Sequence, residues 1–156
     1  MLDPHDLLRA VRLTATLLEL HDENPYKIRG WQNAEATLER AGEDALRGQP
    51  SADDLLTRVA GLSKGMATTF SEALTTGALP EYERLIAATP VGVVQMMKIK
   101  GIGPKRVRQL WREARIETPQ ALLDACETGA VAKLKGFGPK IQEQILEAIT
   151  FVLAAR

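Results

Sequence analysis

The chain has 156 residues, 45% of them hydrophobic, and its 20 basic and 20 acidic side chains cancel to a formal net charge of 0. That suits a soluble globular protein of one compact domain or two small ones. One cysteine, Cys126, excludes an internal disulfide; His5 and His21 lack partners at metal-ligand spacing; no apolar run reaches a membrane span; and the acidic start Met1-Leu2-Asp3-Pro4 is no signal peptide, so a cytoplasmic address is expected.

In chain order the punctuation predicts helices and no convincing strand, an all-α fold. Asp3-Pro4 reads as an N-cap and first helical position, opening a helix to about Leu20 with Leu7, Leu8, Val11 and Leu18 on one face. Asn24-Pro25 interrupts, and a second helix runs from about Tyr26 to Ala41, where Gly42 stops it. Ser51 and Asp54 form a capping-box pair for a third helix, to about Val59. Gly61-Leu62-Ser63-Lys64 then separates it from a helix carrying Met66, Phe70, Ala73 and Leu74 on one face and ending at Gly77. The segment 77–89 reads as the link between two subdomains, 1–78 and 79–156. Thr89-Pro90 and Thr118-Pro119 start further helices, and Gly129 ends one.

The sharpest signal is a repeat: Lys100-Gly101-Ile102-Gly103-Pro104-Lys105 returns as Lys135-Gly136-Phe137-Gly138-Pro139-Lys140. In each copy the first glycine can take positive φ and lets a foreign backbone come close, while the proline sits where a helix should begin. This predicts a tight hairpin whose backbone amides point outward from a helix N-terminus, an anion site that neighbouring lysines strengthen. Gly61-Leu62-Ser63-Lys64 reads as a degenerate third copy, with serine at the second glycine. In chain order these are hairpins 1 (60–65), 2 (100–105) and 3 (135–140). No strand precedes them and the third glycine of a dinucleotide fingerprint is missing. A nucleic-acid phosphate is the expected occupant. The charge distribution agrees, because 98–115 hold 7 basic residues and 1 acidic, while every other segment is mildly acidic. Beyond hairpin 2, Lys105, Arg108, Arg112 and Arg115 recur on one helical face, and Val107, Leu110, Trp111 and Ala114 on another. Trp31 and Trp111 read as core, Tyr26 is ambiguous, and no paired carboxylates offer a seat for two-metal chemistry.

With Leu17-Leu18-Glu19-Leu20-His21-Asp22-Glu23-Asn24-Pro25-Tyr26-Lys27-Ile28-Arg29 ahead of these hairpins, the chain resembles the N-terminal part of bacterial family X DNA polymerases, relatives of DNA polymerase beta, from about Leu7 to Phe151. The resemblance implies a lyase-type helical domain followed by a helical subdomain that grips duplex DNA, acting in gap filling and base-excision repair. It implies phosphate contacts at Gly61, Ser63, Lys64, Gly101, Gly103, Lys105, Arg108, Gly136, Gly138 and Lys140, and a 5′-phosphate ligand in Lys27. It further implies a monovalent cation, sodium or potassium, on the backbone carbonyls of Thr57, Val59 and Leu62 and of Met97, Ile99 and Ile102. Repetition alone would extend that set to Ala132, Leu134 and Phe137.

Two departures limit the transfer. The polymerase palm would follow this segment, so nucleotidyl transfer is not expected of this chain. The Schiff-base lysine of lyase-active members falls at Thr69, which cannot form an imine. The expected function is sequence-independent binding of gapped, nicked or primer-template DNA in the bacterial cytoplasm, at the nucleoid. The alternatives are a lyase using Lys64 or Lys27, and a protein-interaction scaffold.

Overall fold

A computed structural model describes residues 2–154, all of them in helices, turns and loops. Contacts divide the chain into two compact units, Met1–Ala88 and Thr89–Arg156. None of the described helices is long and apolar enough to cross a membrane.

Local capping chemistry sets the helix starts of unit 1. In α1 (Pro4–Leu20), Asp3 Oδ1 accepts the Asp6 N–H at 2.8 Å, and Leu7, Val11 and Leu18 are buried. In α2 (Pro25–Ala41), Asn24 Oδ1 accepts the Tyr26 N–H at 2.8 Å, and Gly42, at φ +83°, ends the helix. The capping box of α3 (Ala52–Arg58) is complete, since Ser51 and Asp54 exchange both side-chain-to-backbone bonds. α4 (Lys64–Thr76) stops at Gly77 in the left-handed conformation, where glycine carries no Cβ penalty. Trp31 of α2 meets Phe70 of α4 edge to face at a centroid distance of 6.0 Å, which makes it a core residue as expected.

The region read as a link contains a helix, α5 (Pro80–Ala87), whose buried Leu85 belongs to unit 1 and which packs on α1. The division therefore falls at 88/89, the far end of the 77–89 segment, rather than at 78/79. Its start was legible after all, with proline in the first turn and acidic residues beside it, and Glu83 Oε2 accepts the Leu79 N–H at 3.1 Å.

Unit 2 packs α6 (Val91–Met96), α7 (Pro104–Arg112), α8 (Pro119–Glu127) and α9 (Gly138–Ala154) around Val93, Met96, Val107, Leu110, Leu122, Ile145 and Ile149. Thr118 caps α8 as expected, but Pro90 is itself the cap of α6, one place earlier than the first helical position assigned to it. Gly92 seats α6 against the start of α8: a Cβ there would lie 2.0 Å from Glu117 O and 3.0 Å from Thr118 Cα. α7 ends at Arg112, short of the expected stripe. Ile116 turns into the core and its N–H bonds back to Leu110 O at 3.0 Å, leaving Arg115 at φ +56° outside the helix.

Candidate nucleic-acid interface

The three hairpins share one turn. The N–H of Leu62 bonds to Val59 O at 3.4 Å, that of Ile102 to Ile99 O at 3.3 Å, and that of Phe137 to Leu134 O at 3.1 Å. The third residue of each turn is the glycine at positive φ: Gly61 at +86°, Gly101 at +90° and Gly136 at +84°. A four-residue turn closed this way with φ > 0 at its third position needs glycine there. The residue after it is buried in all three copies, so Leu62, Ile102 and Phe137 pin each turn to its unit's core.

The second glycine is a different matter. Gly103 sits at φ −89°, ψ 171°, extended geometry that any residue adopts, and nothing lies within 4 Å of the place a Cβ would take. Neither backbone strain nor internal packing demands glycine. Ser63 holds the matching place in hairpin 1 at φ −74°, ψ 157°, where its Oγ accepts the Met66 N–H at 3.2 Å. Hairpin 1 is thus a capped version of the same turn rather than a decayed one. No side chain caps α7, so the amides of Lys105 and Arg106 in its first turn are left for solvent or a ligand. Hairpin 3 departs from its twin: Gly138 lies at φ +73° and α9 begins on it, after a 3-10 turn at Val131–Lys133. One sequence motif thus adopts two backbone forms in hairpins 2 and 3.

Side chains brace hairpins 2 and 3. Arg106 Nη1 donates to Gly101 O at 3.5 Å, Gln109 Nε2 to Lys135 O at 2.8 Å, and the Ala132 N–H donates to Gln142 Oε1 at 2.8 Å. Neither glutamine stands out in the sequence, because nothing local marks partners 26 and 10 positions away.

Charge separates the units. Unit 1 holds 9 basic and 14 acidic residues, a net −5, and unit 2 holds 11 and 6, a net +5. Lys98, Lys100, Lys105, Arg112 and Lys140 are exposed, Arg108 is half-buried, and the Arg112 guanidinium lies 5.2 Å from the centre of the half-buried Trp111 ring. In unit 1, Lys64 is exposed on the first turn of α4, but Lys27 Nζ lies 2.9 Å from Glu81 Oε1 and 3.7 Å from Glu23 Oε1, and Arg84 bonds to both carboxylates. Burial works against the charge on Glu81, yet the hydrogen bonds from Arg84 and Lys27 hold its carboxyl below the usual range. Thr69 gives its hydroxyl to Gly65 O at 2.9 Å. Among the described residues no group of three or more His, Cys, Asp or Glu side chains is arranged to hold a metal.

Paired turns that present bare glycines and helix-start amides beside surface cations define a helix-hairpin-helix region, and residues 93–150 match the SAM-like helix-hairpin-helix tandem family. Over 144 residues, 92% of its length, the chain is 32% identical to the DNA polymerase/3′-5′ exonuclease PolX of Bacillus subtilis. The chain carries this helix-hairpin-helix region at 93–150 and is similar to the N-terminal part of a bacterial family X polymerase. It spans about a quarter of that relative's length, 24%.

Proposed function

We propose that the chain binds the sugar-phosphate backbone of DNA without reading base sequence, at gaps, nicks or primer-template ends, as the DNA-placing region of a family X polymerase in base-excision repair. The observation that carries this reading is Gly103, a glycine that neither its backbone nor its neighbours require, beside uncapped amides in the unit of net charge +5. A position that could carry a side chain without strain or clash yet carries none fits the approach of another molecule's backbone. Amides and lysines aimed at phosphate carry no base information, so affinity should depend on salt rather than sequence.

Gly101, Gly103, Lys105 and Arg108 form the principal grip, with Gly136, Gly138 and Lys140 beside them in the same unit. Gly61, Ser63 and Lys64 hold a second strand segment, and Lys27 takes a 5′-phosphate by releasing Glu81. Val59 and Ile99 carbonyls each accept one turn hydrogen bond and keep a second lone pair, which fits them, with Thr57, Leu62, Met97 and Ile102, to hold sodium or potassium. Such an ion would offset phosphate charge at the turn. The lyase alternative gains no support from Thr69, and the site of action is the nucleoid.

Fluorescence anisotropy on a one-nucleotide-gapped duplex with and without its 5′-phosphate, against intact duplex over a salt series, tests the reading. With four phosphates neutralised, log K should fall against log salt with a slope of about −3.6, or roughly 150-fold from 50 to 200 mM. Weak binding to all three that does not respond to salt would leave the scaffold alternative instead.

A further inference from the structure

We infer that hairpin 3 is a gated phosphate site, with Gln142 the positioning residue that holds it out of the form hairpin 2 shows. This rests on the DNA-binding reading above. The repeat puts matching places 35 positions apart, Lys100 against Lys135, and the turn bonds obey it. The N–H bonds of Lys98 to Gln95 O, Ile99 to Met96 O and Ile102 to Ile99 O return as Lys133 to Ala130 O, Leu134 to Val131 O and Phe137 to Leu134 O, all between 3.1 and 3.3 Å. Two such ladders should give two identical hairpins, yet they part at two points. The Met97 N–H bonds to Val93 O at 3.2 Å, whereas the Ala132 N–H is taken by Gln142 Oε1 at 2.8 Å. Gly103 is extended at φ −89°, where Gly138 lies at +73°.

One difference within the repeat accounts for both. Val107 stands in α7 where Gln142 stands in α9, and Val107 is fully buried. Were α9 to start as α7 does, residue 142 would be carried to the matching core position, and an amide buried there without partners is costly. Gln142 is half-buried instead, with its oxygen on a backbone N–H of the 3-10 turn at Val131–Lys133. That bond keeps the first turn of α9 where Gly138 must take a positive φ, a region only glycine enters freely. The motif accepts either form, because the same Lys-Gly-x-Gly-Pro-Lys residues adopt the other one in hairpin 2. Two arrangements of one motif, separated by a side-chain hydrogen bond, make a two-state element that a ligand can bias.

In the form of hairpin 2 no side chain caps the helix that follows, and Lys105 lies exposed beside its first amides; Lys140, exposed on α9, is the counterpart. A strand phosphate offered to hairpin 3 favours that form. Phe137 stays in the core and Gln109 keeps Lys135 O on α7, so the change is confined to Gly138 and the first turn of α9. The grip then has a standing half at hairpin 2 and a conditional half at hairpin 3, and Gln142 sets how readily the second is drawn in.

The test uses the full chain, with anisotropy on a fully paired duplex and thermal melting of each variant. Gln142→Val, which installs the residue hairpin 2 has, should tighten duplex binding by about 2- to 12-fold, the shift that one neutral hydrogen bond supports. A merely supporting role for Gln142 predicts the reverse, a weaker complex. In a Lys140→Glu background, where hairpin 3 repels phosphate, Gln142→Val should bring no gain. Gln142→Met removes the same acceptor with a straight chain and reads the gate should the first variant melt early. Wild-type or weaker duplex affinity in folded variants would overturn the gate, and so would a gain that survives Lys140→Glu. Failure of the wild type to bind duplex in a salt-dependent way would remove the DNA-binding reading itself, a result separate from these.

Discussion

Replacing Gly103 by alanine separates what the hairpin needs to fold from what it needs to bind. At φ −89° and ψ 171°, with open space within 4 Å, the new methyl meets no protein atom. Losing a glycine from the unfolded chain stabilises by about 0.4–1 kcal/mol, and alanine's poorer N-cap character offsets much of that, so stability should stay within about 0.5 kcal/mol of wild type. Binding has no such balance. The methyl stands where a phosphate would approach, and one weakened charged hydrogen bond is worth about 1.5–3 kcal/mol, or roughly 10- to 150-fold in Kd. Gly101→Ala is the companion, because at φ +90° it should cost about 1–2 kcal/mol of stability as well. Urea denaturation and duplex anisotropy on both variants read the two quantities. If Gly103→Ala folds normally and binds duplex like wild type, the bare face of hairpin 2 is not where DNA docks, and the reasoning behind the proposed function is refuted.

Gly138→Ala should behave unlike Gly103→Ala despite the shared motif, losing about 1–2 kcal/mol in denaturant because its φ is +73°. Gly92→Ala should destabilise unit 2 by about 1–3 kcal/mol or more, seen as an earlier unfolding transition by Trp111 fluorescence, because its Cβ would meet Glu117 O at 2.0 Å. Burial, with Glu127 adding to it, pushes the Cys126 thiol up to about 11, so native protein should resist thiol reagents at pH 8 and react only as unit 2 opens. Glu81, held below its ordinary 4.5, contributes stability in full above that value and loses it as pH falls through the lower folded one; Glu81→Gln should flatten the pH dependence of melting in that acid range. The same variant releases Lys27 from its nearer carboxylate and should tighten binding to 5′-phosphorylated gaps, whereas unchanged affinity would remove Lys27 as the phosphate ligand.

The parts legible in the sequence were those whose cause lies within a few residues. Asp3, Asn24, Ser51 and Thr118 cap helices through bonds that span two or three positions, and the turn glycines answer to their own φ. The misses have causes at longer range. Arg115 leaves the cationic stripe because Ile116 is drawn into the core, α5 joins unit 1 through Leu85, and Lys27 meets a carboxylate 54 positions on. Nothing near Gly92 in the sequence marks it, because what excludes a side chain there is Glu117, 25 positions on. The candidate site was half visible: the hairpins and their charge could be read, whereas the bracing by Gln109 and Gln142 depends on tertiary placement.

The buried residue that closes each turn ties the lifetime of the proposed grip to that of the fold. Ile102 is 6% exposed and Phe137 4%, so neither hairpin in unit 2 can swing away without pulling an apolar side chain out of the core. Most surface loops open at little cost, while the turn-closing amides of Ile102 and Phe137 should exchange their hydrogens only in openings nearly as rare as unfolding of the unit. A phosphate bound at hairpin 2 would then meet donors already in place, with little ordering left to oppose binding. Any substitution that loosens the core of unit 2, however far from the surface, would appear in a DNA-binding assay as a smaller competent fraction, and DNA would in turn raise the unit's melting temperature in proportion to its affinity.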